Sequence, residues 1–517
     1  MGATIIIASG HNHFFTCWGE DKVKAALKLA VWWIVVMLTV SSCSKGNLNE
    51  LAADARPVIS IMAPLHFPNP PDARIVDEIE RLSGNILDIE WVRDEIYADK
   101  MNTAFMTGSM KKATFVKYTD YLLLKNAIRA GAFWEIGPYL DDYANLRTLR
   151  PDILDQTSVD GKIYGLYTER PSSRQGLIIR KDWLDALGLQ VPANLAELYD
   201  VMRQFTYGDP DGNGKQDTIG LTDRNDLVFG AFKTLSSYFG TPNNWKVEGR
   251  EFIPEFKTQG YMDTMNFMKK LFTEGIINQD FAVTSKDVQR NLFIRGKAGI
   301  YIGSMQDAQR LADEAKKVNP NAEFTLANRI EGPQGYKVWA IPNYNGLFLF
   351  SKKAIKTEEE LRQVLAFFDR SMDADIVNRL KYGIEGRHYE LEGDKVVLPQ
   401  AGTLFRASEI SSLYTLMVAD SSNPNLMKVA HQEPLAELAD ELVKDNEKFI
   451  VRDPTEGLDS VTNDDKGVEL YKIISDATYN YILGNVDEEG FRKEVERWEK
   501  GGGSQIAREY EEAYFRR

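Results

Sequence analysis

The sequence predicts an α/β protein built on a parallel sheet with helices packed on both faces, and three observations predict it. Strand-period and helix-period segments alternate from residue 57 to 130 at the spacing of successive β–α–β units. The chain has 517 residues, and setting aside an apolar leader of 42 leaves 475, enough for two or more cores. Beyond the alternating region the middle of the chain is mostly helical in pattern.

In chain order, Lys22, Lys24 and Lys28 precede an apolar run from Leu29 to Val40. Basic residues, a short apolar core and small residues are the layout of a secretory signal, and a run of 12 residues, broken only by Thr39, is too short to span a bilayer, which takes about 20. Val40, Ser41, Ser42 and Cys43 resemble a bacterial lipobox, so Cys43 is the expected lipidation site and the first residue after processing. The acidic pair and histidines before Lys22 fit a leader poorly, and translation is expected to begin near Val23. Residues 43–56 read as a polar, lipid-anchored spacer. Cys17 leaves with the leader and Cys43 carries lipid, so no disulfide braces the fold. The processed chain has 59 basic and 74 acidic residues, a net −15 that argues against charge-driven binding of nucleic acid.

Pro57–Met62 alternates as a strand. Ile75, Ile79 and Leu82 recur at helical spacing within residues 72–83, with Gly84 as the stop. Leu87, Ile89 and Trp91 alternate as a second strand; a helix (95–107), a strand (113–118) and a helix (120–130) follow. A turn at Asp160-Gly161 leads into a strand, and residues 177–184 read as a strand running into a helix. Tyr261, Met265, Met268 and Phe272 share one helical face, and Thr357 with Glu360 forms a capping box. Two amphipathic C-terminal helices flank Gly501-Gly502-Gly503.

Several passages resemble, in order, the family 1 extracellular solute-binding lipoproteins of Gram-positive ABC importers. They are Gly161–Gly165 with Ile179–Leu184, Asp209–Asp217, Phe293–Gly299, Tyr382–Tyr389 and Trp498 with Glu509-Tyr510. The resemblance implies a two-lobe, periplasmic-binding-protein-like fold (type II) with a hinge and a helix-rich second lobe. It implies chain crossings near 168–175, 341–347 and 383–388, giving lobe 1 as 57–168 plus 347–384 and lobe 2 as 169–346 plus 385–517. It also implies a monomeric, membrane-tethered protein on the extracellular face that captures a carbohydrate between the lobes and delivers it to the permease subunits.

Asp209, Asp211, Asn213, Lys215 and Asp217 occupy positions one, three, five, seven and nine of a calcium loop, with the turn glycine, Gly214, at position six. Lys215 contributes its carbonyl. Position twelve is Gly220 rather than Glu. Alginate-binding members of the family take one more side chain just after position nine, which here is Thr218. A structural Ca²⁺ is therefore expected, and the bland reading is a polar surface turn.

Trp134, Trp245 and Trp339 lie in loop-like stretches where an indole could stack on sugar, whereas Trp91, Trp183 and Trp498 fit cores. Asp120, Glu169, Glu385 and Arg387 are the polar candidates, able to grip hydroxyls by charge-assisted hydrogen bonds, with Tyr301 divided between cleft and core. His66, His388 and His431 lack metal-ligand spacing, and no nucleophile elbow or phosphate loop occurs. The expectation is a protein that is no enzyme. The competing readings are a polysaccharide-processing hydrolase, whose paired carboxylates need not be near in sequence, and an adhesive carbohydrate-binding lipoprotein.

Overall fold

The computed structural model describes residues 56–65, 69–399, 402–419, 422–430 and 433–516. Cys43, the leader and the spacer before Arg56 lie outside the described residues, as do His66 and His431. Residues 57–517 form one compact unit, and within it two sheets nucleate two lobes.

Lobe 1 starts with β1 (Val58–Leu65) and β2 (Ile86–Arg93), paired in parallel along their whole length, with β3 (Ala113–Lys117) parallel on the other side of β1. The helix Ala73–Ser83 between β1 and β2 begins on Asp72, whose carboxylate accepts from the Arg74 N–H, and ends on Gly84 at φ 69°. Only a left-handed residue stops the helix there, which is why glycine is found. The helices Tyr97–Thr107 and Tyr118–Arg129 flank β3. The sheet is not purely parallel. β4 (Gly165–Glu169) lies at its edge, and β9 (Tyr344–Phe350), returning from nearly 180 residues later in the sequence, runs antiparallel between β3 and β4. Leu347, Phe348, Leu349 and Phe350 of β9 are fully buried, so this strand reads as a continuous apolar run without an orientation signal.

Lobe 2 is built on β5 (Gln175–Arg180), β6 (Ile219–Thr222), β7 (Ala298–Ser304) and β8 (Phe324–Ala327), in the order β8-β5-β7-β6. β7 is parallel to β6 and antiparallel to β5. Helices Leu195–Tyr207, Ala231–Tyr238 and Gln259–Thr273 bury Phe205, Leu235 and Met268 against it. The C-terminal helices Val461–Ile482, Glu488–Trp498 and Ser504–Arg516 add a smaller aromatic core around Trp498 and Tyr510.

The crossing placed at 383–388 is a correction. Ile410, Leu413, Leu416 and Met417 sit in the lobe 1 core. Asn378 bonds the backbone of Asn425 and Met427, and Ala430 donates to Val396. The chain thus stays with lobe 1 to Ala430 and belongs to lobe 2 from the helix Pro434–Asn446, which packs on Ile178 and Leu326. The apolar spacing of 410–419 is too short to reveal which lobe buries it.

Candidate functional site

Strand direction locates the cleft. β1, β2 and β3 end at Leu65, Arg93 and Lys117, and β9, running the other way, starts at Tyr344 on the same edge. In lobe 2, β6 and β7 end together at Thr222 and Ser304, opposite Gln175 at the start of β5. Gln175 directly follows the link from β4, so the carboxyl ends of both sheets face the crossing strands. Ligands of open α/β sheets bind outside those ends.

The hinge is a polar weave. Arg170 N–H donates to the Asn343 carbonyl at 2.9 Å and Ile341 N–H to Ser172 at 2.7 Å, so the two crossings pair with each other. The buried Asn343 amide donates to Ser172 Oγ at 2.7 Å, its carbonyl oxygen accepts from Arg452 at 3.1 Å, and its backbone N–H is capped by Gln156 at 2.9 Å. A pocket of about 340 Å³ opens beside it, lined by Arg150, Glu169, Arg170 and Glu447 among others.

On the lobe 1 wall, Asp120 stands in the first turn of the helix after β3, with Lys117 paired to Asp94 at 2.5 Å. Its Oδ2 is buried without a hydrogen-bond partner, and burial raises its pKa. An unpartnered buried acceptor of this kind is able to take a hydrogen bond from a hydroxyl. Tyr118 stacks edge-on against Tyr344, and burial pushes its hydroxyl up to about 12, with Asp453 of lobe 2 the next cause.

On the lobe 2 wall, the turn after β6 carries Asp223, Arg224 and Asp226. Burial raises Asp223 to about 7 although the Ala231 N–H donates to it. Arg224 is held by Gln289 Oε1 at 2.8 Å, Asp226 Oδ2 at 3.0 Å and the Phe229 carbonyl. A second pocket, about 390 Å³, opens here between Arg224 and Lys286.

The other sequence candidates fall as follows. Glu169 ends β4 at the hinge, bonded to Arg150 at 2.8 Å with its second oxygen buried and unpartnered. Trp339 is 4% exposed, donates to Thr234 Oγ1 and packs on Phe229, which is itself only half buried. Trp134 bonds the Ile355 carbonyl at the opposite end of β9 from Tyr344, the edge away from the cleft. Trp245 packs on Phe252, Trp498 and Tyr510 in the C-terminal core. Tyr301 is 1% exposed against Phe293 in the lobe 2 core. A loop tryptophan was as well placed to brace a hairpin as to meet sugar, and local spacing does not distinguish the two. Glu385 is exposed near Tyr389, and Arg387 is tied bidentately to Glu409, with its guanidinium 4.4 Å over the Phe405 ring. Sequence reading missed Tyr118, Arg224, Phe229 and Lys286; the rule that selected Asp120, a polar residue at a strand's carboxyl end, would have selected Arg224.

In the 209–217 loop, Asp209 (φ 50°) accepts from the Asn213 and Gly214 N–H groups, and the Asn213 amide donates to both Asp211 and Asp217. Lys297 neutralises Asp217 at 2.6 Å. Thr218 is a correction: it is 4% exposed and its hydroxyl donates inward to the Phe205 carbonyl, away from the loop. Gly220 has a packing reason, since a Cβ there would lie 2.3 Å from the Met202 carbonyl oxygen; no side chain, Glu included, fits. Among the described residues no group of three or more His, Cys, Asp or Glu is positioned to hold a metal.

The family model for bacterial extracellular solute-binding proteins matches residues 83–368, which span β2, both crossings, β9 and the 209–217 loop. The chain belongs to that family. The polygalacturonan/rhamnogalacturonan-binding protein YtcQ of Bacillus subtilis (strain 168) is 46% identical over 463 residues, 89% of this solute-binding chain and 92% of the relative. Lipoprotein LipO of the same organism is 33% identical over 504 residues, covering 95% and 99%. Among solved structures, a solute-binding protein from Bifidobacterium longum infantis described as HMO-binding matches with TM-score 0.71 at 16% identity, covering 89% of this chain and 99% of that one. That likeness identifies the two-lobe fold.

Proposed function

We propose that this protein is the capturing subunit of an ABC importer and takes a galacturonate-containing oligosaccharide into the cleft between its lobes. The observation that carries the substrate class is the similarity to the polygalacturonan/rhamnogalacturonan-binding relative, sustained over nearly the full length of both chains. The cleft chemistry supports it. Asp120 and Glu169 offer unpartnered oxygens for sugar hydroxyls, Tyr118 and Phe229 offer ring faces, and Arg224 offers positive charge. The permease then reads the closed form, in which hinge rotation has brought both walls onto the sugar.

Calorimetric titration of galacturonate oligomers, rhamnogalacturonan fragments and neutral oligosaccharides tests the reading. Binding of the acidic sugars without any shortening supports a capture protein; shortened products support the hydrolase instead. A lipid on Cys43 would tether the protein, and Cys43→Ser should abolish incorporation of a fatty-acid analogue.

Calcium remains part of the proposal. The Asn213 amide sits between Asp211 and Asp217 where a cation would sit, and turning that amide presents its oxygen in place of its N–H groups. The donors would be Asp209, Asp211, Asn213, Asp217 and the Lys215 carbonyl, without Thr218. If so, Asp211→Ala lowers the melting temperature in millimolar calcium and leaves it unchanged in chelator. Equal loss in both conditions would make the loop a turn only.

A further inference from the structure

The lobe 2 wall gathers four cations around one helix. Arg174 closes the first crossing, and its carbonyl accepts from Met305 just beyond β7. Lys286 and Arg290 stand on the helix Lys286–Ile294, one turn apart, and Arg224 reaches the same helix through Gln289. These four cations face Asp226, bonded to Arg224; Asp307, 3.6 Å from Arg290; and Asp287, 3.9 Å from Arg290. Asp223 beside Arg224 is raised to about 7 by burial. The Nε atoms of Arg174 and Arg290 are buried without a hydrogen-bond partner. A buried N–H left unmade costs on the order of 1–3 kcal/mol, and like charges packed together add to it. Burial lowers the pKa of Lys286, with Arg290, Arg224 and Arg174 each pressing the same way and only Asp307 opposing. Lys286 and the unpartnered Nε groups of Arg174 and Arg290 are what an arriving anion would satisfy.

The space for that anion is open. The pocket of about 390 Å³ is bounded by Arg224, Asp226, Thr284, Ser285 and Lys286, with Val283 exposed at its rim. Ser285 Oγ accepts from the Val288 N–H as helix cap, which leaves its hydroxyl proton free to point outward. A planar carboxylate matches a guanidinium in two-point contact, which a neutral hydroxymethyl group does not.

Resting on the acidic-oligosaccharide reading above, we propose that Arg224 and Lys286, which line this pocket, with Arg290 and Arg174 adding positive charge beside them, form the subsite that grips a uronate carboxylate and so selects acidic over neutral sugar. The Asp120 wall then contacts hydroxyls, and the two lobes divide recognition between charge and ring substituents.

The test uses the full chain with trigalacturonate and its methyl-esterified form, which keeps the shape and removes the charge. Lys286→Met and Arg290→Met should each weaken binding of the acid about tenfold and change the ester by less than about twofold. Wild-type affinity for the acid should fall with added salt, and less so in either variant. Both side chains are partly exposed, and unfolding midpoints measured alongside keep folding defects apart from binding defects. Equal losses for acid and ester, or an unchanged affinity for the acid, would overturn the subsite while leaving the substrate class standing. A wild-type chain that binds neutral oligomers and ignores both galacturonate forms would overturn the substrate class itself, and the subsite with it.

Discussion

The interior of each lobe and the seam between lobes are held by different physics. Inside lobe 1, Phe348 is fully buried, edge-on to Phe115 with centroids 5.4 Å apart and 4.9 Å from Phe368. Inside lobe 2, Phe205 is fully buried edge-on to Trp183. The seam is charged instead. Lys125 meets Asp459 at 2.7 Å, Arg129 meets Asp464 at 2.8 Å, and the hinge around Asn343 is hydrogen-bonded throughout. Apolar contact is strong and indifferent to direction, which suits a part that stays rigid. Paired charges can exchange partners with water as they separate, which suits a part that moves.

The largest effects should therefore come from the interiors. Phe348→Ala and Phe205→Ala should each lower unfolding free energy by about 3–5 kcal/mol in urea titration, through lost burial plus a cavity that close packing cannot refill. A loss below about 1 kcal/mol at either site would mean that the lobe repacks freely and that the contrast with the seam is false.

The next effect tests the seam itself. Lys125 is 7% exposed, so Lys125→Met should cost about 2 kcal/mol by leaving Asp459 with Arg129 as its remaining cation, 3.1 Å away. Asp459→Asn should cost a similar amount, and the double variant should cost clearly less than the sum, since the second change removes a partner already lost. Strict additivity would show that the pair does not couple the lobes.

This contrast also explains what the sequence disclosed. Interiors announce themselves locally: Ile75 and Ile79 at helical spacing gave the helix after Asp72, and Thr357 caps the helix Glu358–Ser371 by accepting from Glu360 N–H at 3.2 Å. The antiparallel direction of β9 was hidden because a strand buried on both faces carries no alternation. The seam and the cleft were harder, since Arg224 reaches the helix Lys286–Ile294 only through Gln289, and Arg174 meets Met305 only through the pairing of β5 with β7. The position of Asp120 in the fold was legible because it follows the end of a strand in the same short segment. The tryptophans misled because Trp134 and Trp245 satisfy cores that are assembled from distant residues.

The smallest effect is one of pH, and its seam part is carried by Glu456. Glu456 lies on the lobe 2 side near Tyr118, with Oε1 buried and unpartnered and Arg452 3.7 Å from Oε2. Burial raises its pKa from 4.5 to about 7, Asp453 adds to the rise, and Arg452 opposes it. The folded state therefore holds this proton more tightly than the unfolded chain. Its stabilising contribution is complete below about pH 4.5 and is lost as pH rises through about 7. Between pH 8 and pH 5.5 the wild type should gain about 1–2 kcal/mol from this carboxyl. Asp223, buried and raised to about 7, adds a contribution of the same sign, so the measurement is the difference between two chains. Glu456→Gln should be more stable than wild type at pH 8 and should lose part of the slope below it, because an amide needs no proton to sit there. Urea midpoints at four pH values for both chains give the answer. Parallel curves would place the titration elsewhere and leave the seam electrically silent across that range.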